Sequence, residues 1–111
     1  NAEADPSQTA QLGPLFSLDT FIVNLADVER NRYLRVTMDL ELVESSDTAK
    51  LDDRLPQVRD RILMILPSKT FEEIASVEGK TVLRNEIIGK LNSLFPRTVI
   101  SDVFFTEFVV Q

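Results

Sequence analysis

No stretch of this chain limits its fold more than YLRVTMDLEL, residues 33–42. Leu34, Val36, Met38, Leu40 and Leu42 alternate with Arg35, Thr37, Asp39 and Glu41. A period of two sends successive side chains to opposite sides of an extended backbone, so this is a strand with one dry and one wet face. The dry face needs a second layer to cover it. The next segment supplies one. Ser45, Ser46 and Asp47 offer helix caps, and the apolar period then changes to about 3.6. Leu51, Leu55, Val58, Ile62 and Ile65 form a stripe that Leu66 widens. A half-wet strand followed by one-sided helices predicts an α+β domain: an antiparallel sheet with helices packed on it.

The remaining elements follow from punctuation. Residues 1–13, NAEADPSQTAQLG, lack apolar periodicity and read as a flexible linker, with the domain spanning 14–111. LFSLDTFIVNL is a first strand, best over residues 20–25, joined through the polar turn at 26–32 as a long-looped hairpin. Pro56 interrupts the helical stripe. Because the stripe keeps phase across it, the expectation is a kinked continuous helix, with a fresh start at the proline as the alternative. Pro67 ends it. Thr70 and Glu73 fit a capping box for a short helix. A further helix over about 77–95 carries Leu83, Ile87, Leu91 and Leu94, includes Gly89, and ends at Pro96. A strand over 99–110 completes the order β-β-α-α-α-β.

The last strand breaks the pattern. Under strict alternation Phe104, Phe108 and Val110 share one face while Phe105 and Val109 share the other, so both faces are greasy. Either the strand is central and covered on both sides, or another subunit completes part of it. Phe105, Phe108 and Val110 are therefore candidate interface residues. So are Arg35, Asp39 and Glu41 on the wet face of the alternating strand. Replacing Phe105 by Glu separates the accounts: an interface residue loses assembly only, whereas a core residue unfolds the domain.

Chemistry has little to stand on. There is no Cys and no His among 111 residues, which removes thiolates, zinc ribbons and the commonest general base. Asp39 and Glu41 lie about 7 Å apart on one strand face. That spacing suits a glycosidase-like pair, but alternate charges on a wet strand serve mainly to stay hydrated. Asp52-Asp53 and Glu72-Glu73 are helix neighbours and do not share a face. Ser17, Ser68 and Ser76 have no His partner and suit local hydrogen bonding. No calcium loop or phosphate-binding glycine loop is present, so no metal or cofactor is expected. Twelve basic against eighteen acidic residues give −6, which disfavours nucleic acid as a partner. A non-catalytic binding or assembly module remains.

YLRVTMDLELVE, LPQVRDRILMILPSKTFEEI, EGKTVLRNEIIGKLN and the C-terminal VFFTEFVVQ together resemble the FliL family of flagellar basal-body-associated proteins, with GPLFSLDTFIVNLAD fitting as well. The likeness covers residues 13–111. It implies a stomatin/prohibitin (SPFH)-like domain, periplasmic and carried by one transmembrane helix of the inner membrane, with residues 1–13 as the linker after that helix. It implies association with the flagellar stator proteins (MotA/MotB or PomA/PomB type), self-association into a ring around them, and support of torque and stator retention under load. No catalytic residue comes with it. The alternatives are a small periplasmic adaptor or regulatory domain unrelated to the motor, and a carboxylate-dependent hydrolase.

Overall fold

The computed structural model describes residues 12–111. Most of the expected linker, residues 1–11, lies outside the described residues. β3 (Tyr33–Leu42) is the strand its alternation demands, and the sheet is arranged about it. β1 (Leu15–Ser17) and β2 (Phe21–Asn24) both run antiparallel to it. β4 (Ile100–Val110) pairs with nearly its whole length. Since β4 occupies one edge of β3, β1 and β2 share the other, as one strand interrupted at Leu18–Asp19–Thr20. The register confirms the interruption: Ser17 faces Asp39 and Phe21 faces Val36, one residue out of step.

Leu34, Val36, Met38, Leu40 and Leu42 are completely buried. At roughly 2 kcal/mol each they are a main source of stability. The layer over them is α1 (Asp47–Asp53), α2 (Leu55–Ile65), a 3-10 turn (Leu66–Ser68), α3 (Phe71–Ile74) and α4 (Val77–Asn92). Val58, Ile62, Ile65, Leu83, Ile87 and Leu91 face the sheet. The whole is 20 Å through its shortest axis, the thickness of one sheet and one helix layer. Among the described residues no helix is long and apolar enough to cross a membrane.

Three expectations need correcting. The order has an extra strand and an extra helix, because the first strand and the first helix are each broken once. The helix break is at Arg54, whose φ of −113° and ψ of 16° leave the helical region. α2 then starts with Pro56 in its first turn, where a missing N–H costs nothing. The fresh start, not the kink, is what forms; losing a single residue to the break explains why the stripe stays nearly in phase.

The third correction concerns β4. Thr37 faces Glu107, but Met38 faces Phe105, so Thr106 is an extra residue; likewise Glu41 faces Asp102 and Leu42 faces Ile100, leaving Ser101 extra. These are β-bulges, each of which inverts the alternation. Both extra residues are hydroxylic and bond the facing strand: Thr106 Oγ1 donates to the Thr37 carbonyl at 3.3 Å and Ser101 Oγ to that of Glu41 at 3.2 Å. Phe105, Phe108 and Val110 consequently point inward with Val103 and Ile100, while Phe104 and Val109 point outward. With the bulges counted, the inner face of the strand is wholly apolar, while the outer face alternates Phe104 and Val109 with Asp102 and Glu107.

Close approaches fix the ends. A Cβ on Gly13 would fall 1.6 Å from the Leu42 carbonyl oxygen, and its N–H donates to Glu41 Oε2 at 3.1 Å. Gly13 thus packs directly against the end of β3. Asn92 clasps α4 to β4: its Oδ1 accepts from the N–H groups of Val99 and Ile100, both at 2.9 Å, and its Nδ2 donates to the Ile100 carbonyl at 2.9 Å.

Candidate interaction surface

Among the described residues, helices cover one face of the sheet and leave the other bare. Cross-strand pairing sorts the bare face into rows. Ile22, Arg35 and Val109 make one, and Thr37 and Glu107 sit in the next with Thr20 beside them. Ser17, Asp39 and Phe104 follow, then Leu15, Glu41 and Asp102. A polar network ties the centre. Thr20 and Thr37 hydroxyls lie 2.7 Å apart, Thr37 Oγ1 donates to Glu107 Oε1 at 3.1 Å, and Arg35 Nε donates to Glu107 Oε2 at 3.2 Å. Both members of that ion pair are substantially exposed, so it adds little stability.

Around this network sit large apolar side chains in water. Ile22 is 64% exposed, Leu15 58%, and Phe104 and Val109 41% each; Tyr33 is exposed as well. A strand face that only had to stay wet would not carry five of them. The Asp39 carboxylate makes no hydrogen bond or ion pair among the described residues, whereas that of Glu41 is engaged by the Gly13 N–H.

The six residues singled out in the sequence fall into two groups that never meet. Arg35, Asp39 and Glu41 are on the bare face. Phe105, Phe108 and Val110 lie beneath α4, half-buried against the core. Phe105 and Phe108 meet edge to face, with centroids 5.4 Å apart. Lys80 Nζ lies 4.8 Å from the Phe108 ring centre and the Arg84 guanidinium 5.8 Å from that of Phe105, so two cationic stems roof this pair. Sequence reasoning missed Leu15, Ile22, Tyr33 and Val109 as surface residues. The available signal was an apolar residue at the wet phase of a strand, as with Ile22 between the buried Phe21 and Val23.

Other polar groups serve the fold. Asp47 has no exposed surface, though its cover is thin: Lys50 and Arg97, both nearly half exposed. Arg97 Nη2 approaches Asp47 Oδ1 to 2.7 Å, Lys50 Nζ to 3.3 Å, and the Glu44 N–H donates to Oδ2 at 3.1 Å. Burial alone would raise the Asp47 carboxyl, but that N–H, Lys50 and Arg97 outweigh it and hold the group below its ordinary value. Ser76 caps α4 through the Gly79 N–H, Thr70 and Glu73 form the expected capping box, and Ser68 Oγ donates to the Ile65 carbonyl. No three potential metal-ligating side chains converge among the described residues.

The family model described as flagellar basal body-associated protein FliL matches residues 15–111. The flagellar protein FliL of Aquifex aeolicus is 36% identical over 102 residues, covering 91% of this chain and 63% of that protein. The flagellar protein FliL of Escherichia coli K12 is 32% identical over 115 residues, covering 99% of this chain and 73% of its own length. The flagellar protein LafL of Vibrio parahaemolyticus is 26% identical over 109 residues, covering 94% and 66%. The chain thus spans about two thirds of the length of these relatives.

Proposed function

The chain belongs to the FliL family of flagellar basal body-associated proteins, and from that premise we propose that it is a non-catalytic motor protein acting by assembly. It associates with the stator units, forms a ring-like oligomer around them and supports torque and stator retention under load. The domain stands in the periplasm, held to the inner membrane by a helix that precedes the residues described. The two-layer fold serves as an SPFH-type assembly domain.

One observation carries this reading: among the described residues no layer covers one whole sheet face, which exposes Leu15, Ile22, Tyr33, Phe104 and Val109. Such a face is normal where a second polypeptide covers it and a liability where none does. The test is purification of the full-length, membrane-anchored parent from solubilised membranes. The reading expects stator subunits to co-purify at stoichiometric levels. Folded, membrane-inserted parent that brings down no stator would overturn it.

A further inference from the structure

The bare sheet face is one of two complementary surfaces. Its charges are unbalanced: among the described residues Asp39, Glu41, Asp102 and Glu107 share its strands with a single cation, Arg35. On the far side of the helix layer, α2 and α4 leave a hollow of 510 Å³ lined by Arg61, Met64, Ser68, Glu86, Lys90 and Ser93. Here the balance is reversed. Glu86 is taken up by Lys69 at 2.7 Å, while Arg61 and Lys90 make no ion pair among the described residues. Met64, 72% exposed, supplies an apolar centre. In a chain of net charge −6 this local basic excess stands against the general trend.

Three ways of joining two copies can be compared. Sheet against sheet sets four carboxylates against four. Groove against groove sets Arg61 and Lys90 against themselves. Both are like-charge contacts, which disfavour the pairing. Sheet against groove pairs opposite signs and covers Ile22, Val109 and Met64 from water in one step. We infer that the sheet face of one copy docks into the α2/α4 groove of the next, head to tail. This contact is heterologous, so it repeats from copy to copy and closes into a ring where the rotation allows. The two faces lie on opposite sides of a slab 20 Å thick, which lets one subunit use both at once. The inference rests on the self-assembly part of the function proposed above and adds which surfaces meet.

These 111 residues contain no cysteine, so in a parent cleared of any cysteine elsewhere each introduced thiol is the only one. Val109→Cys marks the sheet face and Met64→Cys the groove. Full-length parent carrying one or both is treated in membranes with a short bismaleimide. Head-to-tail docking expects a ladder beyond dimer for the double variant and monomer for each single one. In that double background, Asp39→Lys or Arg61→Glu alone should remove the ladder, and the two together should restore it. Dimers from Val109→Cys alone would mean sheets face each other and would overturn the inference. Monomer throughout, with stator still co-purifying, would overturn it while leaving motor association intact. A ladder without stator would uphold the docking and refute the motor reading.

Discussion

The two faces of this sheet come from the same strands, yet they answer to different demands. The inner face holds Leu34, Val36, Met38, Leu40 and Leu42 with no exposed surface, and two bulges in β4 let Ile100, Val103, Phe105, Phe108 and Val110 all join them. The outer face mixes Ile22, Val109 and Phe104 with Arg35, Asp39 and Glu107, and nothing among the described residues covers it. Apolar content alone therefore does not distinguish core from contact surface. Continuity does: the inner face is unbroken hydrocarbon, whereas the outer one is apolar islands around a polar network, the composition of an interface that must also survive in water.

The comparison can be broken most sharply by truncation. Leu40→Ala should cost about 2–5 kcal/mol, because a fully buried side chain leaves a cavity. Ile22→Ala, from the same sheet, should cost within about 0.5 kcal/mol. Urea titration of both settles it, and equal losses would mean the outer face is covered in the monomer. Phe105 belongs with Leu40 in this test. Its inward position makes Phe105→Glu a folding variant, so Phe104→Glu is the substitution that probes the surface.

A covered carboxylate and a bare one should differ next. Asp47→Asn should destabilise by about 1–3 kcal/mol, since Arg97 and Lys50 lose a charged acceptor, while Asp39→Asn should be close to neutral. The pH dependence has a definite sign. Asp47 has a lowered folded value, so its contribution is present above the ordinary value of 3.8 and is lost as pH falls through the lower folded one. The advantage of the native chain over Asp47→Asn should therefore shrink in strong acid, as followed by thermal melting across pH. An advantage that grows there would contradict the ion-pair geometry.

A change of sign separates two glycines of α4. A Cβ at Gly79 would fall 2.0 Å from the Glu73 carbonyl oxygen, so Gly79→Ala must displace α3 or unwind the cap. Nothing lies within 4 Å of a Cβ at Gly89, and Gly89→Ala should stabilise by about 0.5–1 kcal/mol. Opposite signs in denaturant midpoint are expected.

How much of this was legible in the sequence follows from what each element depends on. β3 was readable because its register with water is written in its own alternation. The capping box at Thr70 was readable because Thr and Glu three apart act locally. β4 was not, because a bulge is a property of two strands: Thr106 is extra only relative to Thr37, and no single-strand pattern shows the phase change. The break at Arg54 was hidden because it consumes one residue and barely disturbs the stripe. The candidate surface was half legible. Arg35, Asp39 and Glu41 followed from the wet phase of β3, but their apolar neighbours Leu15, Ile22 and Val109 come from other strands and needed the pairing to be found.

The most direct test of the central claim, that the bare face exists for assembly and not for stability, is one comparison on the full-length parent. Ile22→Glu with Val109→Glu is introduced, and oligomer mass after membrane extraction is measured alongside the melting temperature. The account predicts a melting temperature close to that of the native chain and a collapse of the assembly to monomer. Native-sized assemblies from the doubly substituted, folded protein would contradict it.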